Sequence, residues 1–252
     1  MDKFNVIFLL GRPAAGKSEI IDFLLKLPDA ERKEQFYMGK IDVIDDFPLL
    51  WAWYEEDDLL VNKFHKQKLH TTNDGYFKYQ YFWHLLIERI SLEYKKRVRD
   101  ISDYMENYTT IVEFSRGKEH GGYKEAFQHV SKELLEYSAI IYVNVSFEES
   151  LRKNKMRSDS LRPDSILHHS LADEKLTRLY KEVDWEEFSH GNSEFIQCNG
   201  MKVPYAVFEN KDDVTTEGEG PLKNRIKETL EKLKTIIAVS YTHLTLPTIC
   251  SV

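Results

Sequence analysis

The hydrophobic and polar positions of this chain form short apolar runs separated by longer amphipathic stretches. The apolar runs predict five strands, at residues 4–10, 41–44, 109–114, 139–145 and 203–208. The stretches between them place apolar residues at helical spacing, as in residues 222–237. Strands that alternate with helices in this order predict an α/β fold of three layers, in which a five-stranded parallel sheet carries helices on both faces.

Caps and breakers predict where the helices begin and end. Phe47 and Pro48 are expected to break the chain before a helix over residues 49–68. A turn over residues 72–75 is expected to cap a long helix that runs to about residue 105. One helix is expected over residues 123–137.

The first predicted strand leads directly into GRPAAGKS, residues 11–18, which fits G-x-x-x-x-G-K-[ST] at every fixed position. In this context a tight loop wraps its backbone N–H groups around phosphates, and the following helix points its positive dipole end at them. Lys17 is expected to reach the β- and γ-phosphates of ATP, and Ser18 to coordinate Mg²⁺. The residues expected to bind the nucleotide are Gly11, Pro13, Ala14, Ala15, Gly16, Lys17 and Ser18.

Composition and charge exclude several classes of partner. The chain has 252 residues, of which 42% are hydrophobic, enough for a sizeable α/β core. It carries 35 Lys and Arg against 42 Asp and Glu, a net charge of -7, which argues against a nucleic-acid partner. No apolar run approaches the ~20 residues of a membrane span and no signal peptide is visible, so no membrane partner and a cytoplasmic location are expected. Two cysteines form neither a disulfide framework nor a metal-ligand spacing.

The last residues of the chain have a sequence of a different kind. The stretch AVSYTHLTLPT, residues 238–248, resembles the in-frame translation of a sequencing-library adapter and contains no Asp, Glu, Lys or Arg. Residues 1–237 are therefore expected to form a single P-loop domain, and residues 238–252 to be foreign to it. The alternative is a genuine tail, since Val, Tyr, Thr and Leu are common in strands.

Acidic residues follow two of the predicted strands. Phosphoryl transfer needs neutralisation of charge on the transferred group and a residue that orients or deprotonates the acceptor. Asp45 and Asp46 stand at the carboxyl end of the second strand, the edge where ligands bind in open α/β sheets. Glu113 ends the third strand and is expected to hold the metal ion or a water molecule. Arg116, three residues on, is expected to lie close enough to touch phosphate.

A basic segment follows the fourth predicted strand. It starts with the capping box S-x-x-E at residues 146–149. Its candidate phosphate-binding side chains are Arg152, Lys155, Arg157 and Arg162. Residues 150–165 are expected to form a lid that places these groups on the developing charge, because the segment follows a P-loop in an acidic chain. The alternative is an ordinary basic helix surface.

Four stretches of the sequence resemble the nucleoside and nucleotide kinases, a group of P-loop proteins that includes the adenylate-kinase-like and deoxynucleoside-kinase-like enzymes. These stretches are GRPAAGKS at 11–18, DFPLLW at 46–51, FKYQ at 77–80 and FEESLRKNKMR at 147–157. The resemblance implies that Asp46, or alternatively Asp45, is the base for the acceptor hydroxyl, and that Gln80 pairs with a base edge. It also implies that Glu113 and Arg116 serve the phosphate side of the site.

The resemblance further implies an ATP-dependent phosphotransferase, a P-loop kinase acting on a small-molecule acceptor, above all a nucleoside or nucleotide. Its cofactors would be ATP and Mg²⁺, and a homodimer is left open. The expected catalytic residues are Lys17, Asp46, Glu113, Arg116, Arg152 and Arg157. The expected metal ligands are Ser18 and Glu113.

Two other functions stay open at the level of sequence. Residues 210–213, NKDD, match the N-K-x-D pattern with which GTPases recognise guanine, so a nucleotide-switch GTPase is one alternative. The other is a P-loop ATPase that powers or regulates a partner, in which the aromatic residues of 51–94 would form an interface. His168 and His169 do not predict a metal site, because neighbours in a helix face different directions.

Overall fold

The computed structural model describes residues 3–157 and 171–245, with the side chains of that part except those of Arg157 and of residues 240–245. Its strands are β1 (Val6–Gly11), β2 (Lys40–Asp45), β3 (Tyr108–Phe114), β4 (Ser138–Asn144), β5 (Phe195–Cys198) and β6 (Met201–Glu209). The helices before β3 are α1 (Lys17–Lys26), α2 (Asp29–Phe36), α3 (Phe47–Phe64), α4 (Tyr81–Asp100) and α5 (Tyr104–Asn107). The helices after β3 are α6 (Gly122–Gln128), α7 (Lys132–Glu136), α8 (Phe147–Arg157), α9 (Asp173–Tyr180), α10 (Trp185–Phe188) and α11 (Glu219–Thr245).

The described strands form one sheet in the order β2-β3-β1-β4-β6-β5. The pairs β2 with β3, β3 with β1, β1 with β4, and β4 with β6 are parallel. The loop after β1 therefore lies at the middle of the carboxyl edge of the sheet, flanked by the ends of β3 and β4. This is the edge where ligands bind in open α/β sheets.

The prediction of five parallel strands is wrong in one respect, because the sheet has six strands and is mixed. The additional strand, β5, pairs antiparallel with β6. The two strands are joined by Asn199 and Gly200, which have φ angles of 49° and 78°. Asn-Gly readily adopts this left-handed pair of conformations in a two-residue hairpin. The four residues of β5 are too few to show a strand period, so the stretch looks like a series of turns in the sequence.

The central strand supplies both faces of the hydrophobic core. All six residues of β1 are buried. Ile7 and Leu9 pack in the core that includes residues of α1 and α11. Phe8 and Leu10 pack in the core that includes residues of α4 and α6. Alternate side chains of β1 point to opposite faces of the sheet, and each set packs against helices. Helices therefore cover both faces of the sheet, as the sequence predicts.

Several helix boundaries differ from the sequence prediction. The helix α3 begins at Phe47, because Pro48 occupies the first turn, where its missing N–H costs no hydrogen bond. The expected turn at residues 72–75 belongs to a hairpin bridged by Thr71 and Phe77, so α4 begins only at Tyr81.

The expected helix over residues 123–137 is divided into α6 and α7. Ser131 caps α7 by accepting a hydrogen bond from the Leu134 N–H at 3.3 Å. The backbone of α11 continues beyond residue 237 to Thr245. Within the described residues, no helix is both long and apolar enough to cross a membrane.

Candidate active site

The GRPAAGKS segment forms a tight loop between β1 and α1. Gly16 precedes α1 with a φ of 104°, a conformation that glycine adopts without strain. A Cβ atom on Gly16 would lie 2.7 Å from Thr215 and 2.8 Å from Asn210 Nδ2. The position therefore requires glycine for two reasons, the backbone conformation and the close approach of the segment after β6.

Side chains from two other elements hold this loop from outside. Ser150 of α8 donates a hydrogen bond from its hydroxyl to the Pro13 carbonyl at 2.7 Å. Asn210, which follows β6 and is fully buried, donates from Nδ2 to the Ala15 carbonyl at 2.8 Å. These contacts fix the loop before any ligand arrives. Each joins residues more than 130 positions apart, so no local signal in the sequence predicts it.

Lys17 lies folded into the mouth of the loop and is only 4% exposed. Its Nζ donates to the Arg12 carbonyl at 3.0 Å and to Ser115 Oγ at 2.9 Å. Glu113 Oε1 lies 3.7 Å from the same Nζ. The ammonium group thus connects the loop after β1 to the carboxyl end of β3, close to where the sequence predicts the transferred phosphate.

The carboxylates predicted at the ends of β2 and β3 lie together. Asp45 and Glu113 are register partners in the β2–β3 pair. Burial, together with the negative charges of Glu113 and Asp46, raises the pKa of Asp45 to about 8. A hydrogen bond of 3.0 Å from the Phe47 N–H acts in the opposite direction and stabilises the charged form. Three carboxyl groups therefore crowd together beside Lys17, and the Asp45 carboxyl holds a proton near neutral pH.

Asp46 points to a different partner. Its Oδ2 lies 2.6 Å from Nη1 of Arg116, and the side chains of the two residues are 7% and 2% exposed. Arg116 also donates to the Ser115 carbonyl at 2.7 Å and to the Trp83 carbonyl at 3.3 Å. Its guanidinium carbon is 5.2 Å from the ring centroids of both Trp83 and Phe114. The charge predicted to touch phosphate is thus directed at a carboxylate.

A cavity of about 490 Å³ opens between these groups. Its polar residues are Lys17, Ser18, Glu19, Asp22, Asp45, Asp46, Glu113, Ser115, Arg116 and Asn154. Its apolar and aromatic residues are Pro13, Ala14, Phe47, Leu50, Tyr54, Trp83, Phe114, Leu171, Leu179 and Tyr180. Gln80, predicted to read a base edge, is exposed and is not part of this lining.

The aromatic wall of the cavity is supported from behind by His120. The rings of Trp83 and His120 are stacked, with centroids 3.8 Å apart. The ring of Tyr180 meets His120 edge to face at 5.0 Å. Burial, and secondarily the charge of Arg116, holds the pKa of His120 well below its ordinary value. The imidazole is therefore neutral and acts as a packing element. The sequence gives no sign of this contact between distant residues.

The predicted lid arginines are only partly described. Arg152 is exposed and forms ion pairs with Glu149 at 2.6 Å and with Asp213 at 2.7 Å, and it does not line the cavity. The side chain of Arg157 lies outside the described residues, as do Arg162 and the rest of residues 158–165, the second half of the candidate lid. His168 and His169 lie outside them as well. Lys155 pairs with Asp173 at 2.9 Å.

The N-K-x-D segment lies next to the GRPAAGKS loop, but Asn210 and Asp213, the residues that would recognise guanine, are engaged by other protein groups. Asn210 supports Ala15 and also donates to Thr215 Oγ1 at 2.9 Å. Asp213, which would have to accept hydrogen bonds from guanine, pairs with Arg152 and Lys153. Lys153 is buried and donates to Thr215 Oγ1 at 3.0 Å. The segment therefore joins α8 to the loop.

The oxygen donors at the cavity edge suit a small divalent cation. Mg²⁺ prefers oxygen ligands, and in nucleotide sites it takes one or two carboxylates together with substrate phosphates and water. Ser18, Glu113 and Asp45 offer oxygens of this kind on the lining. Within the described part of the chain, three or more His, Cys, Asp or Glu side chains nowhere converge to form a metal site by themselves. The donor set thus fits a cation that arrives with phosphates.

Comparison with known proteins gives distant structural likenesses. No protein-family model matches the chain, and no curated protein matches it. A sugar kinase from Janibacter sp. HTCC2649 is 10% identical, with a TM-score of 0.38, 92% of this chain covered and 97% of that one. TT1252 from Thermus thermophilus is 14% identical, with a TM-score of 0.39 and coverages of 97% and 100%. APE1195 is 16% identical, with a TM-score of 0.40 and coverages of 94% and 98%.

Proposed function

We propose that this protein is an ATP-dependent phosphotransferase that transfers phosphate to a hydroxyl group of a small molecule, of the nucleoside or nucleotide kind. The observation that carries the proposal is the position of Lys17. Its ammonium lies between the GRPAAGKS loop and the end of β3, and it faces a cavity whose edge carries Asp45, Asp46 and Glu113. A phosphate donor and an acceptor can meet in such a cavity. A cytoplasmic location, where ATP is supplied, belongs to the same proposal.

The loop and Lys17 would bind the triphosphate. Backbone N–H groups of the loop offer hydrogen bonds, and Lys17 supplies a point charge once it exchanges the Arg12 carbonyl for phosphate oxygens. Ser18 and Glu113 would hold Mg²⁺, which when bound neutralises charge on the transferred group. Lys17 would then stabilise the phosphate oxygens while it stays anchored near Ser115.

Asp46 would orient the acceptor hydroxyl and accept its proton. Arg116 pairs with Oδ2 of this carboxylate, and Asp46 belongs to the cavity lining. Asp45 is the alternative, and it would lie on the metal side because it is the register partner of Glu113. For phosphoryl transfer, positioning of this kind accounts for most of the catalytic effect. Arg152 and Arg157 would contribute positive charge to the transferred phosphate. For Arg152, this requires its side chain to leave Glu149 and Asp213.

A panel of acceptors tests the proposal directly. Purified protein is incubated with ATP, Mg²⁺ and single nucleosides, nucleotides or sugars, and ADP formation above the acceptor-free rate is measured. The proposal predicts stimulation by at least one compound, and no stimulation for folded Lys17→Ala. Steady ATP hydrolysis that no acceptor alters would instead support the ATPase alternative.

The GTPase alternative is tested by competition. The pairing of Asp213 with Arg152 and Lys153 leaves its carboxylate engaged, which disfavours guanine recognition. We therefore expect ATP to displace a fluorescent nucleotide at least as well as GTP does. Displacement by GTP at concentrations where ATP has no effect would favour the GTPase.

A further inference from the structure

The lining of the cavity includes flat rings that come from three helices. Phe47 and Tyr54 come from α3, Trp83 from α4 and Tyr180 from α9. Trp83 is held by its stack on His120, and Tyr54 is held by a hydrogen bond of 2.7 Å from its hydroxyl to the Gly75 carbonyl. Trp83 and Tyr54 are therefore held in place before a ligand binds. An aromatic lining of this kind suits a flat ring, which gains contact area against it without ordering the protein.

Acidic side chains outnumber basic side chains among the described residues that line the cavity. Apart from Asp45, its acidic side chains are Glu19, Asp22, Asp46 and Glu113. Among the described lining residues the basic side chains are Lys17 and Arg116. Lys17 lies at the nucleotide loop, where the donor phosphates would use it. Along the described part of the lining, an acceptor therefore meets an excess of negative charge in a partly buried space, where like charges repel strongly.

Arg116 cannot serve a phosphate on the acceptor. Its side chain is 2% exposed, its charge is matched by Asp46 at 2.6 Å, and two of its donors bond to the Ser115 and Trp83 carbonyls. Releasing it would leave Asp46 buried without its counter-charge, which is costly. A site built for a phosphorylated acceptor needs a cation that is available to that phosphate.

From this combination we infer that the acceptor is an unphosphorylated alcohol with a flat ring. The inference rests on the proposed function and narrows its substrate class. The shared chemistry is a ring of about the size of a nucleobase joined to a hydroxyl-bearing group. Nucleosides and other aromatic alcohols both carry it, and the test separates them.

The test compares matched pairs of acceptors under ATP and Mg²⁺. Each nucleoside is assayed against its own 5′-monophosphate, and an aromatic alcohol without ribose forms a third arm. We expect kcat/KM for the unphosphorylated compound to exceed that of its monophosphate by at least about tenfold, mainly through KM, because the repulsion acts on binding. Equal use of both compounds, or preference for the monophosphate, would overturn the inference while leaving the phosphotransferase in place. If no compound of any arm is phosphorylated or binds, both the inference and the proposed function fail.

A charge introduced into the cavity lining gives an independent check. Leu50→Arg places a cation on the lining, whereas Leu25→Arg changes a residue of α1 that is 50% exposed and outside the lining. Binding of a nucleoside and of its monophosphate is measured by calorimetry for the parent and both variants. We expect Leu50→Arg to shift relative affinity toward the monophosphate by about tenfold or more, and Leu25→Arg to shift it little. A parent that already binds the monophosphate more tightly, or no shift in a folded Leu50→Arg, contradicts the inference.

Discussion

Arg116 and Asp46 form a buried ion pair, 2.6 Å between Nη1 and Oδ2, at the edge of the cavity that also contains Lys17. The two residues are 70 positions apart, and the pair joins the end of β2 to the segment after β3. It makes Arg116 a positioning residue for Asp46, where the sequence alone suggests a phosphate contact. Because breaking a buried pair leaves a charge without a partner, its effects on stability can be measured.

We expect Arg116→Met to lower the free energy of unfolding by about 3–5 kcal/mol, since Asp46 then stays buried without its counter-charge. The double variant Arg116→Met/Asp46→Asn should recover much of this loss, yet it should remain inactive. Urea unfolding of the two single variants and the double variant measures the coupling between the side chains. A loss below about 1 kcal/mol in Arg116→Met would mean that the pair is effectively solvated.

Asp45 should make the ligand-free protein less stable as the pH rises. Its pKa in the folded protein is about 8, against an ordinary value of 3.8, so the folded state holds a proton that the unfolded state has lost. Stability from this group is therefore present at acid pH and is lost between about pH 4 and pH 8. Asp45→Asn should remove this slope and melt at a higher temperature than the parent at pH 8. Parallel pH profiles for parent and variant would contradict the prediction.

Asp57 should make the protein less stable as the pH falls, which is the opposite of the effect of Asp45. It is fully buried and accepts hydrogen bonds from the Leu69 N–H at 2.6 Å and from the Thr71 N–H and hydroxyl, both at 2.7 Å. Burial by itself raises the pKa of Asp57, but together these hydrogen bonds outweigh it and lower the pKa to about 2. Its contribution is present above about pH 4 and is lost as the pH falls toward 2.

The corresponding variant is Asp57→Asn, with the exposed neighbour Asp58→Asn as control. We expect Asp57→Asn to lose about 2 kcal/mol of stability at pH 7, from the shift in pKa, and much less at pH 2.5. Thermal melting at both pH values measures the difference. Equal losses for the two variants at pH 7 would show that the hairpin does not depend on this carboxylate.

Sequence reasoning predicts those parts of the candidate site whose geometry depends on local order. The GRPAAGKS loop follows a buried strand, and Asp45 and Glu113 end adjacent parallel strands, so their convergence follows from topology. The partner of Arg116 and the support of Ala15 by Asn210 depend on contacts across the fold, which spacing along the chain does not encode. The sequence does not predict β5, because its four residues are too few to show an alternation of apolar and polar positions. The strand is stabilised by its pairing with β6.

Replacing Asn210 should weaken the binding of ATP and of GTP equally, since Asn210 supports the GRPAAGKS loop and does not recognise the base. We expect Asn210→Ala to weaken both nucleotides by about the same factor, on the order of tenfold, because the buried Ala15 carbonyl loses its donor. Asn62→Ala, at an exposed position of α3, is the control and should change neither affinity. Displacement titrations with both nucleotides give the comparison. A selective loss of GTP binding would support guanine recognition by residues 210–213.

The most direct test follows the γ-phosphate itself. ATP labelled at that position is incubated with Mg²⁺ and an unphosphorylated nucleoside, using the parent and Lys17→Ala, with circular dichroism to verify that both are folded. We predict that the label appears on the acceptor hydroxyl with the parent, and that Lys17→Ala reduces the rate by at least about a hundredfold because a charge on the transferred phosphate is lost. Transfer at an undiminished rate by folded Lys17→Ala would contradict a P-loop phosphotransferase.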